Sequence, residues 1–320
     1  MKRSLFITLF SIIIVMVIAI FFSRALFLKN EKISLDAEGD FYTSDNVRIH
    51  YWYYNRDTSI VTIFLHGGPG SSSSDVRKTG QAERYADTFG SMLVFDQRGG
   101  GESERSAEVL TGKISLNRFV KDIDELRAAV IPEHDVVIFG RSFGGLLAAR
   151  YANSNPQNVR GYILAAPGQF SSNNDLLEKQ RDALVLSVGE EKMQEVAAQD
   201  RAVILQLHQE MGDPEKRLDE ETDMGSEDDI DVGSALIASG DYYAHEEFSL
   251  LPAFNNVPTL VAYGSYDTQV PPLAIEAMKP YMPEASFVEL PGGHGAAYTH
   301  EAEFFQTVKA WWDVSITPKR

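Results

Sequence analysis

The chain has 320 residues, 44% of them hydrophobic and 23% charged, with a formal net charge of −17; this is globular composition, neither disordered nor fibrous. Cysteine is absent, which excludes disulfides, thiolate metal sites, a cysteine nucleophile and lipidated cysteine. The acidity argues against a nucleic-acid partner, whose phosphates it would repel. It is also uneven: residues 1–30 carry four bases and no acid, whereas Gly168–Leu250 holds 21 acids and 6 bases, so that stretch is expected to form a separate layer.

Leu5–Phe22 is 18 residues without a charge. It reaches the length that crosses a hydrocarbon core of about 30 Å as a helix and exceeds the roughly 7–15 apolar residues of a signal peptide. Residues 1–30 are therefore expected to be an N-terminal membrane anchor with a short flank. The very short leading tail predicts a single-pass protein with the bulk of the chain extracytoplasmic.

Beyond it, Phe41–Ser44 and Val47–Tyr54 alternate around Asp45-Asn46 as an entry hairpin. Ile60–Leu65 reads as a buried strand, Asp75–Phe89 as a helix and Met92–Phe95 as a strand. Leu116–Val130 has helical spacing through Leu116, Phe119, Ile123, Leu126 and Val130. Val136–Phe139 is a strand, Ser142–Ala152 a helix and Gly161–Ala166 a strand. Leu176–Met211 reads as a charged helix, and Asp213–Asp231 is acidic with little apolar content. The alternation resumes with strand Thr259–Tyr263, helix Pro272–Tyr281, strand Ser286–Leu290 and helix Glu301–Val314. Such alternation implies an α/β fold with a mostly parallel sheet covered on both faces. Residues 31–167 and 251–320 would form the core and 168–250 an acidic helical insertion.

The chemistry-bearing residues fall at strand ends. Gly140-Arg141-Ser142-Phe143-Gly144 matches Gly-x-Ser-x-Gly between a strand and a helix, where small residues permit a sharp turn that exposes the serine oxygen. Ser142 is thus the candidate nucleophile. The base it needs is His294, in Pro291-Gly292-Gly293-His294-Gly295 after the last strand, with His300 as the alternative. Asp267, just past the Thr259–Tyr263 strand, is the carboxylate that would orient the imidazole. The order Ser, Asp, His is that of the α/β-hydrolase fold. His66-Gly67-Gly68-Pro69-Gly70 follows the Ile60–Leu65 strand, and its glycines allow a backbone N–H to face a reacting carbonyl. Gly68, or less favourably Gly67, would form an oxyanion hole with the N–H of Phe143, while His66 supports the loop. Asp96-Gln97-Arg98-Gly99-Gly100-Gly101-Glu102-Ser103 is expected to brace that loop or line the site.

HGGPG, DQRGxGxS, GxSxGG, an Asp after a strand and a His in a GGHG turn, in this order from about residue 41 to 315, resemble the proline iminopeptidase family of α/β hydrolases. The HGGPG and DQRG pair is the specific part of the match. The resemblance implies a parallel-sheet core with a helical cap inserted after the sixth strand. It also implies release of N-terminal residues, often proline, through an acyl-enzyme, without metal or organic cofactor. It makes Ser142, Asp267 and His294 the triad, and Gly68 and Phe143 the oxyanion donors. The cap departs from the family, whose tryptophan-rich segment carries a glutamate for the substrate amine. Here the three tryptophans, Trp52, Trp311 and Trp312, all lie outside 168–250. A second family glutamate is missing from Ile237–Tyr243, leaving Asp241, Glu246 or Glu247 as substitutes. The run Asp219–Asp231 reads as a solvated acidic face.

The expected activity is that of a serine hydrolase acting on short peptides with a free amino terminus, releasing proline or a small apolar residue. The alternatives are an esterase or lactonase using the same triad, or a membrane-tethered binding protein that keeps a hydrolase fold. Carboxylate-nucleophile reactions, as in epoxide hydrolases and dehalogenases, are disfavoured because the turn carries Ser142.

Overall fold

The computed structural model describes residues 36–168, 174–210, 230–241 and 249–317. Strands β1 (Ala37–Tyr42) and β2 (Arg48–Tyr54) form an antiparallel hairpin through a turn at Thr43–Val47, in which Asn46 takes φ 59°. The chain continues through β3 (Ile60–Leu65), α1 (Ser74–Lys78), α2 (Gln81–Phe89) and β4 (Ser91–Phe95). It then forms α3 (Ala107–Leu110), α4 (Leu116–Val130), β5 (Asp135–Arg141), α5 (Phe143–Asn153) and β6 (Val159–Ala165). Between β6 and β7 (Thr259–Gly264) lie α6 (Asn174–Val188), α7 (Glu190–Glu210) and α8 (Val232–Ala238). The last elements are α9 (Pro272–Met278), β8 (Ser286–Leu290), α10 (Ala296–Thr299) and α11 (Glu301–Ser315).

The eight strands make one sheet in the order β1-β2-β4-β3-β5-β6-β7-β8, parallel from β4 through β8 and antiparallel at β1 and β2. The period of two along each central strand divides the core into two layers. Val61, Ile63, Val136, Ile138, Leu164 and Val261 face α4, α5 and α9. Phe64, Val137, Phe139, Ile163 and Leu260 face α1, α2 and α11, where Tyr85, Phe89, Phe304 and Trp312 pack. Being buried on both sides, these strands read as continuous apolar runs.

Two expected helices are each divided. Asp75–Phe89 breaks at Gly80, which takes φ 70°, and the long helix from Leu176 breaks at Gly189, φ 90°. In both cases helical apolar spacing continues across a residue whose backbone has left the right-handed region. The single-pass, extracytoplasmic placement expected from Leu5–Phe22 is corrected: no helix among the described residues is long and apolar enough to cross a membrane. Those helices serve the sheet instead. α4, for example, buries Leu116, Phe119, Ile123 and Leu126 and leaves Lys121 and Asp124 exposed. The expected anchor, Leu5–Phe22, itself lies outside the described residues.

The loop after β4 is anchored by a buried ion network. Arg98 has no solvent-exposed side-chain surface. Its guanidinium donates from Nε and a terminal nitrogen to both oxygens of Asp122 on α4, at 2.6 and 2.7 Å. It also donates to Asp45 in the β1–β2 turn at 2.9 and 3.1 Å, and to the Lys113 carbonyl at 2.7 Å. Burial would raise the Asp45 carboxyl, but the hydrogen bonds from Arg98 and Thr43 and the charges of Arg98 and Arg118 outweigh it and hold that group well below the usual range. One side chain thus ties the hairpin turn, α4 and the β4 loop together. Arg98→Met should destabilise the protein by about 3–5 kcal/mol in urea unfolding, because buried Asp122, 2% exposed, would lose two of its hydrogen bonds and keep only that from Arg118 at 3.0 Å.

Candidate active site

Four loops converge at the carboxyl ends of the parallel strands β3, β5, β7 and β8, the edge at which open α/β sheets place their ligands. The sharpest is the β5–α5 turn. Ser142 sits at φ 49°, ψ −118°, a strained conformation for a residue with a side chain. It is held there by backbone bonds from Ser142 N to Ala165 O at 3.0 Å, and from Gly145 N and Gly168 N to Ser142 O at 2.8 and 2.7 Å. The flanking glycines have a direct steric reason. A Cβ on Gly144 would overlap the Leu65 carbonyl of β3, and one on Gly140 would overlap the Gly144 carbonyl. Helix α5 can lie against β3 only without those carbons.

Ser142 Oγ and His294 Nε2 are 2.9 Å apart, and His294 Nδ1 lies 2.8 Å from Asp267 Oδ2. The carboxylate on Nδ1 selects the tautomer in which Nδ1–H donates to Asp267 and Nε2 accepts from the serine hydroxyl. Asp267 is fully buried. Its second oxygen accepts the N–H groups of Gln269 and Val270, both at 2.8 Å. The two loops are joined by Ser265 N to Leu290 O and Tyr266 N to Gly292 O, each 2.9 Å. His300, the alternative base, instead pairs its Nδ1 with Thr299 Oγ1 at 3.0 Å.

Gly67 stands directly against Ser142: a Cβ there would lie 3.3 Å from the Ser142 Cβ. Gly68 follows at φ 124°. The Phe143 N–H belongs to the first turn of α5, at the positive end of the helix dipole. His66 is fully buried. Its Nε2 accepts from Gln97 N at 2.9 Å, its Nδ1 is 2.6 Å from Gly67 O, and its own carbonyl accepts from Gln97 Nε2 at 2.9 Å. This fixes a neutral ring. Burial pushes its pKa down against the nearby Asp96 charge and the Gly67 carbonyl. Buried Asp96 accepts from Ser73 N and Oγ at 2.7 and 2.6 Å and from Glu102 N at 2.8 Å. The Asp-Gln-Arg motif therefore braces the glycine loop.

Several residues that sequence reasoning passed over also grip these loops. Arg141 donates to Asp75 on α1 and stacks 4.0 Å over the Tyr298 ring of α10, while the Tyr298 hydroxyl donates to the same Asp75 oxygen at 2.6 Å. From the β6–β7 insertion, Asp200 Oδ2 on α7 accepts Gly293 N–H at 3.0 Å, and Arg181 Nε on α6 donates to Thr268 O at 2.7 Å. Burial pushes the Asp200 carboxyl up, against the hydrogen bonds from Gly293 and Thr299. Also in the insertion, Val232 of α8 packs against Gly99, and Gly233 stands near Pro69 of the glycine loop. No local pattern marks these residues, because each partner is distant in the chain.

Of the expected amine-binding carboxylates, Asp241 lies near enough to Arg150 for its charge to oppose the burial that lowers that guanidinium. Arg150 is about two turns along α5 from Ser142. Glu246 and Glu247 lie outside the described residues. Among the described residues, one group has metal-ligand composition: Glu38, His50 and Glu102, with ligand atoms within 4.8 Å of one another. It sits on the β1–β2 hairpin and the β4 loop, and Asp40 and Arg77 already engage His50 and Glu102.

Residues 61–301 match the alpha/beta hydrolase fold family, and the chain belongs to that family. Its relatives include a proline iminopeptidase of Xylella fastidiosa, 34% identical over 122 residues, which are 38% of this chain and 36% of that protein. The chain thus matches little more than a third of that relative's length. Similar solved structures include a proline iminopeptidase of Mycobacterium smegmatis (TM-score 0.58, 18% identity, 87% of this chain and 98% of that one). An esterase of Exiguobacterium antarcticum is also similar (TM-score 0.62, 18% identity, 87% and 100%).

The buried neutral His66 makes stability depend on pH with a definite sign. Unfolded, the ring takes a proton near pH 6.5, whereas the native ring resists it, so the unfolded state binds more protons below that pH. Stability from this group is fully present above about pH 6.5 and is lost as pH falls toward the depressed native value. Urea unfolding between pH 7.5 and 5 should therefore give a shallower slope for His66→Gln than for the wild type. The difference should be up to ~1.4 kcal/mol per pH unit. Parallel slopes would mean that His66 titrates alike in both states.

Proposed function

We propose that this α/β hydrolase is a serine aminopeptidase that releases N-terminal proline or small apolar residues from short peptides through an acyl-enzyme. The observation that carries the reading is the hydrogen-bonded line from Ser142 Oγ through His294 to buried Asp267, at 2.9 and 2.8 Å. Ser142 Oγ attacks the carbonyl carbon while His294 Nε2 takes its proton. The N–H groups of Gly68 and Phe143 hold the oxyanion. His294 then gives the proton to the departing amine, which leaves the acyl group on Ser142. Water, deprotonated by the same imidazole, releases the acid. Asp267 orients the imidazole and stabilises the imidazolium.

Residues 168–250 act as the cap in this reading. Its helices reach the site from two sides, α8 over the glycine loop and α7 over the His294 loop. Its excess of acids suits a cationic amino terminus, since carboxylates in a partly closed pocket hold an ammonium strongly. Asp241, Glu246 and Glu247 are the proposed amine-binding groups. A second reading, an esterase or lactonase on the same triad, is favoured by one observation: residues 168–250 contain no tryptophan, unlike the cap of the family that the motifs resemble.

Hydrolysis of prolyl, alanyl and leucyl arylamides, their N-acetylated forms and short-chain aryl esters separates the two. Free-amine arylamides should be cleaved and acetylated ones refused. Ser142→Ala should lower turnover by at least about ten-thousand-fold. Turnover of esters alone, abolished in the same variant, would establish the esterase instead.

A further inference from the structure

We infer that Asp200 is a positioning residue through which the cap holds the His294 loop in register with Ser142. The inference rests on the reading of Ser142, Asp267 and His294 as the reacting groups. The core supports the His294 loop mainly through its carbonyls: Gly292 O accepts from Tyr266 N at 2.9 Å and Gly293 O from Ala296 N at 3.1 Å. The N–H of Gly293, the residue just before the base, instead donates to a side chain from the insertion, Asp200 Oδ2, at 3.0 Å. Gly293 has to be glycine for this contact, because a Cβ there would lie 2.5 Å from the same oxygen. Asp200 is held in place because α7 packs on α10, the short helix that begins two residues after His294.

The other half of the acid–base pair is gripped in the same way. Arg181 of α6 donates to the carbonyl of Thr268, the residue after Asp267. Each of the two loops therefore has one backbone group hydrogen-bonded to a side chain of the cap. A cap that lifts takes Asp200 with it, and the imidazole loses the anchor of its neighbouring peptide. Displacement of a reacting group by about 1 Å can cost on the order of a hundredfold in rate, so the seating of the cap sets kcat directly. A free substrate amine plays no part in this contact, and its effect is the same on every substrate.

Asp200→Ala and Asp200→Asn in the full-length protein test this by steady-state kinetics on a prolyl arylamide and an aryl ester, and by the rate at which a fluorophosphonate labels Ser142. Asp200→Ala should lower kcat and the labelling rate about ten- to hundredfold on all three probes, with KM within about twofold. Asp200→Asn keeps an oxygen that accepts the Gly293 N–H and should return to within about threefold of wild type. Unchanged kcat and labelling in Asp200→Ala would overturn the inference. So would a rise in KM confined to free-amine substrates, which would make Asp200 a substrate contact. If Asp200→Ala fails to fold, near-wild-type labelling of Asp200→Asn supports the inference and a loss in that variant overturns it. A wild-type protein that takes no label removes the reading of Ser142, and this inference with it. Labelling without arylamide cleavage removes only the peptidase assignment and leaves the test of Asp200 intact.

Discussion

The close approach of helix α5 to strand β3 is the constraint on which the rest of the site depends. Gly144 brings its α-carbon against the carbonyls of Leu65 and His66, and no residue with a Cβ could do so. That contact places the end of β5 so tightly over its neighbour that the chain must turn within one residue, and Ser142 takes the positive φ that results. The cost of that strain, of order 1–3 kcal/mol, is offset by the backbone bonds around the turn and by burial of Phe143, Leu146 and Leu147 in the layer below. The result is a serine oxygen that projects from the sheet edge, beside the first amides of a helix.

A sheet edge so rich in glycine has few side chains with which to hold its shape, and the chain meets that need with buried polar groups. His66 and Gln97 pair through backbone and side chain, and Asp96 accepts from Ser73 and Glu102, within the two loops after β3 and β4. Arg98 carries the same bracing outward to the β1–β2 turn and α4. Arg141, Asp75 and Tyr298 link the serine turn, the helix after the glycine loop and the helix after the histidine. Most of these side chains have several partners, because a buried polar group left unpaired costs more than a formed hydrogen bond contributes; the exception is Gln97, whose buried Oε1 has none. The loops are joined to one another chiefly by these hydrogen bonds.

The insertion adds a layer of a different kind. Residues 168–250 hold 21 acids and 6 bases, and their described contacts with the site loops include Asp200 on Gly293, Arg181 on Thr268 and Val232 on Gly99. Leu177, Val232 and Leu236 of the insertion also join the main hydrophobic core, so apolar packing holds this layer as well as the polar contacts.

The strand pattern and the four motifs were legible in the sequence because both are local. Apolar runs such as Ile60–Leu65 and Val136–Phe139 announce strands buried on both faces, and Gly-x-Ser-x-Gly, HGGPG and the GGHG turn each lie within a few residues of a strand end. The division of helices at Gly80 and Gly189 was not legible, since apolar spacing runs on past a backbone that has turned away. The partners of Arg98, Arg141 and Asp200 were hidden for a related reason. Asp122, Asp75 and Gly293 lie 24, 66 and 93 residues from them in the chain, and no spacing rule spans such distances. Residue types and their order thus determined the sheet and the candidate chemistry. Which histidine meets Ser142, and which carboxylate of the acidic insertion reaches the His294 loop, was decided only when the β7 and β8 loops and α7 were brought to one edge of the sheet, because hydrogen bonds are set by distance in space and not by distance along the chain.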